Sequence, residues 1–245
     1  MGRANSIVAT VQARMGSTRL PGKVLMDLGG ESVLARVVGR LRRAKLVDKI
    51  VIATTDTAED DAIIAECGKL GVAWFRGSEG DVLDRYYQTA LAFDAGAVVR
   101  ITSDCPLIDP DLVDETIKQF QDRSADYASN AIERTHPRGL DVEVFTIAML
   151  KSAWQNAKQP YEREHVTPYL YEHPELFRLE SVVGTPDYSQ HRWTLDTAED
   201  LQLLRAIYDR FDNHDHFTWQ DVIALMEHEP QLANLNCNVR QKSLQ

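Results

Sequence analysis

Along the chain, short apolar runs alternate with longer stretches in which apolar residues recur every three or four positions. Residues 7–13, Ile-Val-Ala-Thr-Val-Gln-Ala, form a run rich in β-branched residues, the pattern of a buried strand. It passes at once into Arg-Met-Gly-Ser-Thr-Arg-Leu-Pro-Gly-Lys at 14–23, whose polar residues, glycines and proline mark a loop. Next, Val33, Leu34, Val37, Val38 and Leu41 fall at helical spacing while arginines occupy the other face. Strand, loop and helix therefore follow in order.

The alternation repeats. Residues 49–55 predict a strand, 58–70 an acid-started helix ended by Gly71, 72–76 a strand, 81–93 a helix and 97–102 a further buried strand. Strands separated by helices of this length predict an α/β, Rossmann-like, mostly parallel sheet with helices on both faces. After Pro110 a helix runs to about 121, and then regularity weakens. A turn-rich stretch at 133–141 leads to a strand-like 141–145, and 161–174 reads as helical but carries Pro168, which should kink or end it. Strands are expected at 176–183 and 190–195, helices near 197–210 and 218–228, and a frayed tail at 241–245. Neither a linker nor an internal repeat interrupts residues 1–245, so one domain is expected, with about 127–190 forming an acceptor-binding lid or subunit-contact lobe.

Composition narrows the partners. The 44% of hydrophobic residues, evenly spread, can build a continuous core. A net charge of −10 without a long basic run repels a nucleic-acid polymer. Arginines do gather at Arg14, Arg19, Arg36, Arg40, Arg42 and Arg43, which suggests a small anionic ligand, a nucleotide. Cys67, Cys105 and Cys237 lack the paired spacing of a zinc site or disulfide framework, which fits a reducing compartment. The first residues contain no apolar run of signal-peptide length and no later window approaches a membrane span, so the expected location is the cytoplasm, away from any membrane.

The 14–23 loop carries the first candidate chemistry. A loop from a buried strand towards a helix can set backbone N–H groups and the positive helix end against phosphate oxygens. Here it also brings Arg14, Arg19 and Lys23, the hydroxyls of Ser17 and Thr18, and the conformational freedom of Gly16 and Gly22, a set suited to pyrophosphate. A solvated basic loop is the simpler alternative. Neither the Walker spacing nor Gly-x-Gly-x-x-Gly is present.

A bound nucleotide's phosphates commonly carry a cation, which carboxylates can hold as Mg²⁺. Asp104 follows the strand ending at Thr102, and Asp196 follows Arg-Trp-Thr-Leu before a helix. Each alone reads as a cap or turn aspartate; their matched placement at strand ends favours metal ligation. Asp109 and Asp111 read as helix-start residues, and Cys105 as a nucleophile only if a histidine partners it.

Gln-Ala-Arg-Met-Gly-Ser-Thr-Arg-Leu-Pro-Gly-Lys at 12–23 resembles the motif of the cytidylyltransferases that activate 3-deoxy-octulosonate and nonulosonate sugars, and more closely their spore-coat polysaccharide F branch. The resemblance spans nearly residues 7–210 and implies a nucleotide-diphospho-sugar transferase fold, Mg²⁺ as cofactor, CTP and a sugar or sugar acid as partners, and a homodimer. It implies nucleotide contacts from Ala13, Arg14, Met15, Gly16, Ser17, Arg19 and Lys23, with Ser103 beside them, and a catalytic part for Arg14, Lys23 and Asp104. Asp-Thr-Ala-Glu-Asp-Leu at 196–201 resembles the family's second metal segment, with Ala198 where proline is usual, and so implies that Asp104 and Asp196 ligate the metal.

Residues 127–144 place Asn130, Arg138, Asp141 and Glu143 in a turn-rich stretch where polar side chains can meet sugar hydroxyls. Pro-Arg-Gly-Leu-Asp-Val-Glu-Val at 137–144 and Arg-Glu-His-Val-Thr-Pro at 163–168 also resemble the F branch, which implies that Asp141, Glu143, Glu164 and His165 line the acceptor pocket. From the residues alone, Glu164 and His165 equally fit a surface cap or subunit contact, and Arg100 and Arg192 fit either anion binding or structural salt bridges. The resulting expectation is a cytidylyltransferase releasing pyrophosphate and a CMP-sugar for surface polysaccharide or glycoconjugate synthesis. A nucleotide-sugar-dependent glycosyltransferase and a non-catalytic nucleotide-binding protein are the rivals.

Overall fold

The computed structural model describes residues 6–241. β1 (Ile7–Gln12) enters the 14–23 loop, followed by a 3₁₀ turn at Lys23–Leu25, a small hairpin of β2 (Asp27–Leu28) and β3 (Glu31–Ser32), and α1 (Val33–Leu41). Then come β4 (Lys49–Thr55), α2 (Asp61–Leu70), β5 (Ala73–Gly77), α3 (Val82–Ala92), β6 (Ala97–Thr102) and α4 (Pro110–Asp122). The second half comprises β7 (Tyr127–Ser129), β8 (Glu143–Thr146), α5 (Ile147–Asn156), α6 (Pro160–His165), α7 (Pro168–Tyr171), β9 (Leu179–Ser181), α8 (Ala198–Arg210) and α9 (Trp219–His228).

The seven-stranded sheet has the order β5-β4-β1-β6-β8-β7-β9. β1 pairs in parallel with β4 on one side and β6 on the other, β4 with β5, and β7 with β9; β8 alone runs antiparallel, between β6 and β7. Side-chain alternation fills both faces. Ala9, Val11, Val99 and Ile101 pack beneath α1, α2 and α4, whereas Val8, Val51, Val98 and Phe145 pack beneath α3, α5 and α7. A third apolar cluster, centred on Trp193, Leu204, Tyr208 and Val222, fixes α8 and α9 against the loops after β6.

Strand order reverses between β1 and β6, since the chain first builds outward through β4 and β5 and then returns to the other side of β1. Open α/β sheets bind ligands at the carboxyl ends of strands at such a switch. Two expectations change in detail. Residues 190–195 form only an isolated bridge, Arg138 to Arg192, because their partner is the irregular 138–140 loop and not a strand. The 161–174 stretch splits into α6 and α7 at Val166, whose φ of 73° and ψ of −52°, with Thr167 N–H donating to His165 C=O at 2.9 Å, make a γ-turn; Pro168 then opens α7. The expected frayed tail lies, from 242 onwards, outside the described residues. No helix among the described residues is long and apolar enough to cross a membrane.

Candidate active site

At the carboxyl end of β1 the Ala13 N–H still donates to Ala53 C=O, and the chain then turns back on itself. The Met15 carbonyl accepts from both Ser17 N–H at 2.8 Å and Gly22 N–H at 2.9 Å, which closes residues 15–22 into a compact loop. Gly22 has φ 71°, in the left-handed region that glycine enters without a Cβ penalty. Lys23 follows in its 3₁₀ turn and projects across the cleft.

There its ammonium donates to Asp104 Oδ2 at 2.7 Å, to Asp196 Oδ1 at 2.9 Å and to the Leu195 carbonyl at 2.7 Å. The two segments that carry these aspartates are themselves joined, because Leu195 N–H donates to Asp104 C=O at 2.8 Å. Asp196 Oδ2 also meets Arg19 Nη2 at 2.8 Å and Arg192 Nη2 at 2.7 Å. Burial acts against the Asp196 charge, but Lys23 foremost, with Arg192 and Arg19, draws its carboxyl down to about 2. Burial likewise opposes the Lys23 charge, and Asp104 and Asp196 outweigh it, raising the ammonium above its usual range.

The cleft around this cluster has a volume of about 520 Å³. Of the residues expected from sequence, Ala13, Arg14, Ser17, Arg19, Lys23, Ser103, Asp104 and Asp196 line it, with Arg14 exposed at its rim. So do Arg138, Asp141, Glu164 and His165, although the chain separates them by up to 27 residues. Asp141 is held bidentately by Arg134 at 2.6 and 2.8 Å, and burial lowers the His165 imidazole pKa from its ordinary value.

Four residues lie outside the lining. Asn130 is buried and serves the backbone: its amide donates to Leu140 C=O and accepts from Val142 N–H, both at 2.8 Å, thereby shaping the loop that presents Arg138 and Asp141. Glu143 is buried on β8, where it ion-pairs with Arg100 and accepts from Tyr127 Oη at 2.8 Å. Met15 acts through its backbone and packs its side chain against the core, and Gly16 faces Glu79.

The arginine cluster divides. Arg36 and Arg40 are buried structural ties and not anion ligands: Arg36 Nη1 meets Asp215 Oδ2 at 3.2 Å, and Arg40 donates to the carbonyls of Ile108 at 2.7 Å, Asp215 at 3.1 Å and Phe217 at 3.0 Å. Arg43 also donates to Asp215 C=O, and Arg42 to Leu70 C=O at 2.5 Å. Sequence could not separate them from Arg14 and Arg19, because Asp215 and Phe217, which hold Arg36, Arg40 and Arg43, lie over 170 residues away. Asp109 caps α4, accepting from Asp111 N–H at 3.0 Å. Burial pushes the Cys105 thiol well up, which disfavours the thiolate a nucleophile needs. Arg100 lines the cleft while paired to Glu143, and Arg192 braces Asp196 and Asp200.

Two supporting aspartates were missed by sequence reasoning. Asp200 accepts from Asp196 N–H at 2.9 Å, Thr197 N–H at 3.0 Å and Arg192 Nε at 3.0 Å, so the capping box that starts α8 also orients Asp196. That Thr-x-x-Asp spacing was visible in the sequence. Asp60 reaches the phosphate-loop candidate from the start of α2, and nothing local to it announces that contact.

The donor set suits a hard divalent cation. Two carboxylates and a carbonyl already surround a positive group at hydrogen-bond distance, and all three offer oxygen. Among the described residues no group of three or more His, Cys, Asp or Glu could hold a metal alone. Mg²⁺ would therefore take one or two carboxylates from the protein and the rest from phosphate oxygens and water, its usual manner beside nucleotides.

The chain matches the cytidylyltransferase family model over residues 8–241. An uncharacterised protein of Methanocaldococcus jannaschii is 42% identical over 97% of this chain and 97% of its own length. The spore coat polysaccharide biosynthesis protein SpsF of Bacillus subtilis is 37% identical over 94% of this chain and 97% of its own. A solved cytidylyltransferase from Leptospira borgpetersenii superposes with a TM-score of 0.89 at 32% identity, covering 99% of this chain and 100% of that one.

Proposed function

Since this chain belongs to the cytidylyltransferase family of CTP-using nucleotidyltransferases, we propose that it is a Mg²⁺-dependent enzyme joining CMP from CTP to a sugar or sugar acid, with release of pyrophosphate. The observation that carries this reading is the convergence of the 14–23 loop with Asp104 and Asp196 on one cleft at the β1/β6 switch.

In the reaction an acceptor hydroxyl oxygen forms a bond to the α-phosphorus, the bond to the bridging oxygen of the β-phosphate breaks, and the hydroxyl proton passes to water. Arg14, Ser17, Arg19 and Lys23 receive the leaving pyrophosphate, whose charge grows in the transition state. Asp104 and Asp196 would hold Mg²⁺, which when bound supplies charge neutralisation at the α-phosphate and lowers the pKa of the attacking hydroxyl. Arg138, Asp141, Glu164 and His165 offer the acceptor both charged donors and acceptors, a set suited to hydroxyls and a carboxylate. The name of the Bacillus subtilis relative supports a place in surface polysaccharide or glycoconjugate synthesis. The reading includes a cytoplasmic homodimer formed through the 127–190 region, which sedimentation checks.

The test is pyrophosphate release from each of the four ribonucleoside triphosphates with Mg²⁺, against a panel of sugars, sugar acids and sugar phosphates. CTP with one acceptor should give release that EDTA abolishes, and Asp104→Asn should lower turnover about a thousandfold or more while the fold persists. Near-normal turnover in that variant, or release that ignores EDTA, overturns the assignment.

A further inference from the structure

We infer that Asp60, which does not line the cleft, is a positioning residue that sets the register of the 14–23 loop for the triphosphate. Asp60 occupies the N-cap position of α2 yet makes no side-chain cap to that helix. Its carboxylate turns back instead. Oδ1 accepts from Met15 N–H at 2.7 Å, and Oδ2 accepts from Thr54 Oγ1 at 2.8 Å, Thr55 N–H at 3.0 Å and Thr55 Oγ1 at 2.6 Å.

Asp60, Thr54 and Thr55 are almost wholly buried, at 1%, 0% and 1% exposure. A buried carboxylate is costly unless its oxygens are satisfied, and here neutral donors satisfy it, with no ion pair to it among the described residues. One end of the carboxylate is therefore fixed to the carboxyl end of β4, in the rigid sheet, and the other to a single loop amide.

That amide is the one that matters for the loop. Met15 is the node whose carbonyl accepts the Ser17 and Gly22 N–H groups at 2.8 and 2.9 Å. The Met15 N–H lies in the Arg14–Met15 peptide plane and its carbonyl in the next, so anchoring the N–H leaves only Met15 φ and ψ between the anchor and the loop closure. Lys23, next after Gly22, starts the 3₁₀ turn that aims its ammonium between Asp104 and Asp196. Asp60 thus relates β4 to the residues receiving the leaving pyrophosphate, across a chain separation of 45 residues. Misplacement of such groups by about 1 Å is enough to lower a rate by roughly a hundredfold.

Asp60→Asn tests this. The Asn carbonyl is expected to stay with the three donors from Thr54 and Thr55, which sets its amide nitrogen against the Met15 N–H, donor against donor, and releases the loop end. The inference rests on the cytidylyltransferase reading, so two readouts are used. Hydrogen exchange of the ligand-free protein should show amides in residues 15–22 exchanging about tenfold faster or more in the variant, with β1, β4 and β6 unchanged. Steady-state kinetics should show KM for CTP raised about tenfold or more and KM for the acceptor within about twofold.

Should Asp60→Asn fail to fold, Thr55→Val, which removes one hydroxyl donor and keeps the Met15 contact, should give a smaller change in the same direction in both readouts. Unchanged loop exchange in a folded variant overturns the positioning role whatever the substrate is. Faster exchange with unaltered KM for CTP overturns the link from the loop to the nucleotide, and absence of any CTP turnover in the wild type overturns the functional reading alone.

Discussion

Lys23→Met is expected to separate the structural and catalytic parts of the cleft cluster. The Lys23 side chain is 11% exposed and its ammonium lies between the Asp104 and Asp196 side chains, which are 23% and 14% exposed. Removing one partner of a fully buried pair costs roughly 3–5 kcal/mol. Here Asp196 keeps Arg19 and Arg192, and the Asp104 carboxylate, with no other ion-paired cation among the described residues, is 23% exposed to water, so about 2 kcal/mol is expected. For a chain of this size that corresponds to a fall in Tm of about 4–8 °C. Urea denaturation with EDTA measures the loss. Added Mg²⁺ should recover part of it in the variant and little in the wild type, because only the variant leaves Asp104 and Asp196 without the ammonium between them. Turnover should fall about a hundredfold to a thousandfold, since the lysine is also lost from the transition state. An unchanged urea midpoint, or equal Mg²⁺ stabilisation of both proteins, would refute the shared-cation arrangement.

Asp196 also sets a pH dependence. Its carboxyl lies at about 2 in the folded chain against an ordinary 3.8, so ionisation contributes about 2 kcal/mol that is fully present above pH ~4 and is lost as pH falls through ~2. Urea midpoints measured from pH 5 to 2.5 should fall more steeply in the wild type than in Asp196→Asn; parallel curves would contradict the assignment. Gly139 has φ 104°, and a Cβ there would stand 2.6 Å from Thr194 N and Trp193 C, so Gly139→Ala should destabilise the protein by roughly 2–4 kcal/mol, read by denaturation. Asn130→Ala would orphan Leu140 C=O and Val142 N–H, costing about 3 kcal/mol. Because that loop presents Arg138 and Asp141, acceptor KM should rise about tenfold while KM for CTP stays within about twofold, which steady-state kinetics checks.

Local pattern carried much of this protein. Period and punctuation along residues 7–122 were enough for the strand–helix alternation and hence for a mostly parallel sheet covered on both faces, because each of those elements buries its own apolar face. The motif at 12–23 and the aspartates after β6 and before α8 were legible for the same reason: a strand end, a glycine loop and a helix start are local events. Local pattern failed where a segment's partner was irregular, as at 190–195, and where Thr146 and the helical spacing of Ile147, Leu150 and Ala153 in α5 went unread.

Only the tertiary structure decided what each charge was for. Arg14 and Arg40 are the same residue type in the same basic stretch, yet one stands at the rim of the cleft and the other is buried against carbonyls of residues 108, 215 and 217. Asn130 and Glu143 fell in a stretch rich in sugar-binding residue types, and the fold spends them on backbone amides and on Arg100. Asp60 looks from sequence like one more acid at the start of a helix, whereas its carboxylate is directed to Met15 by the packing of β4 against β1. A side chain's type limits the partners it can take, but which partner it meets depends on chain segments tens to hundreds of residues away, brought together only when the sheet closes.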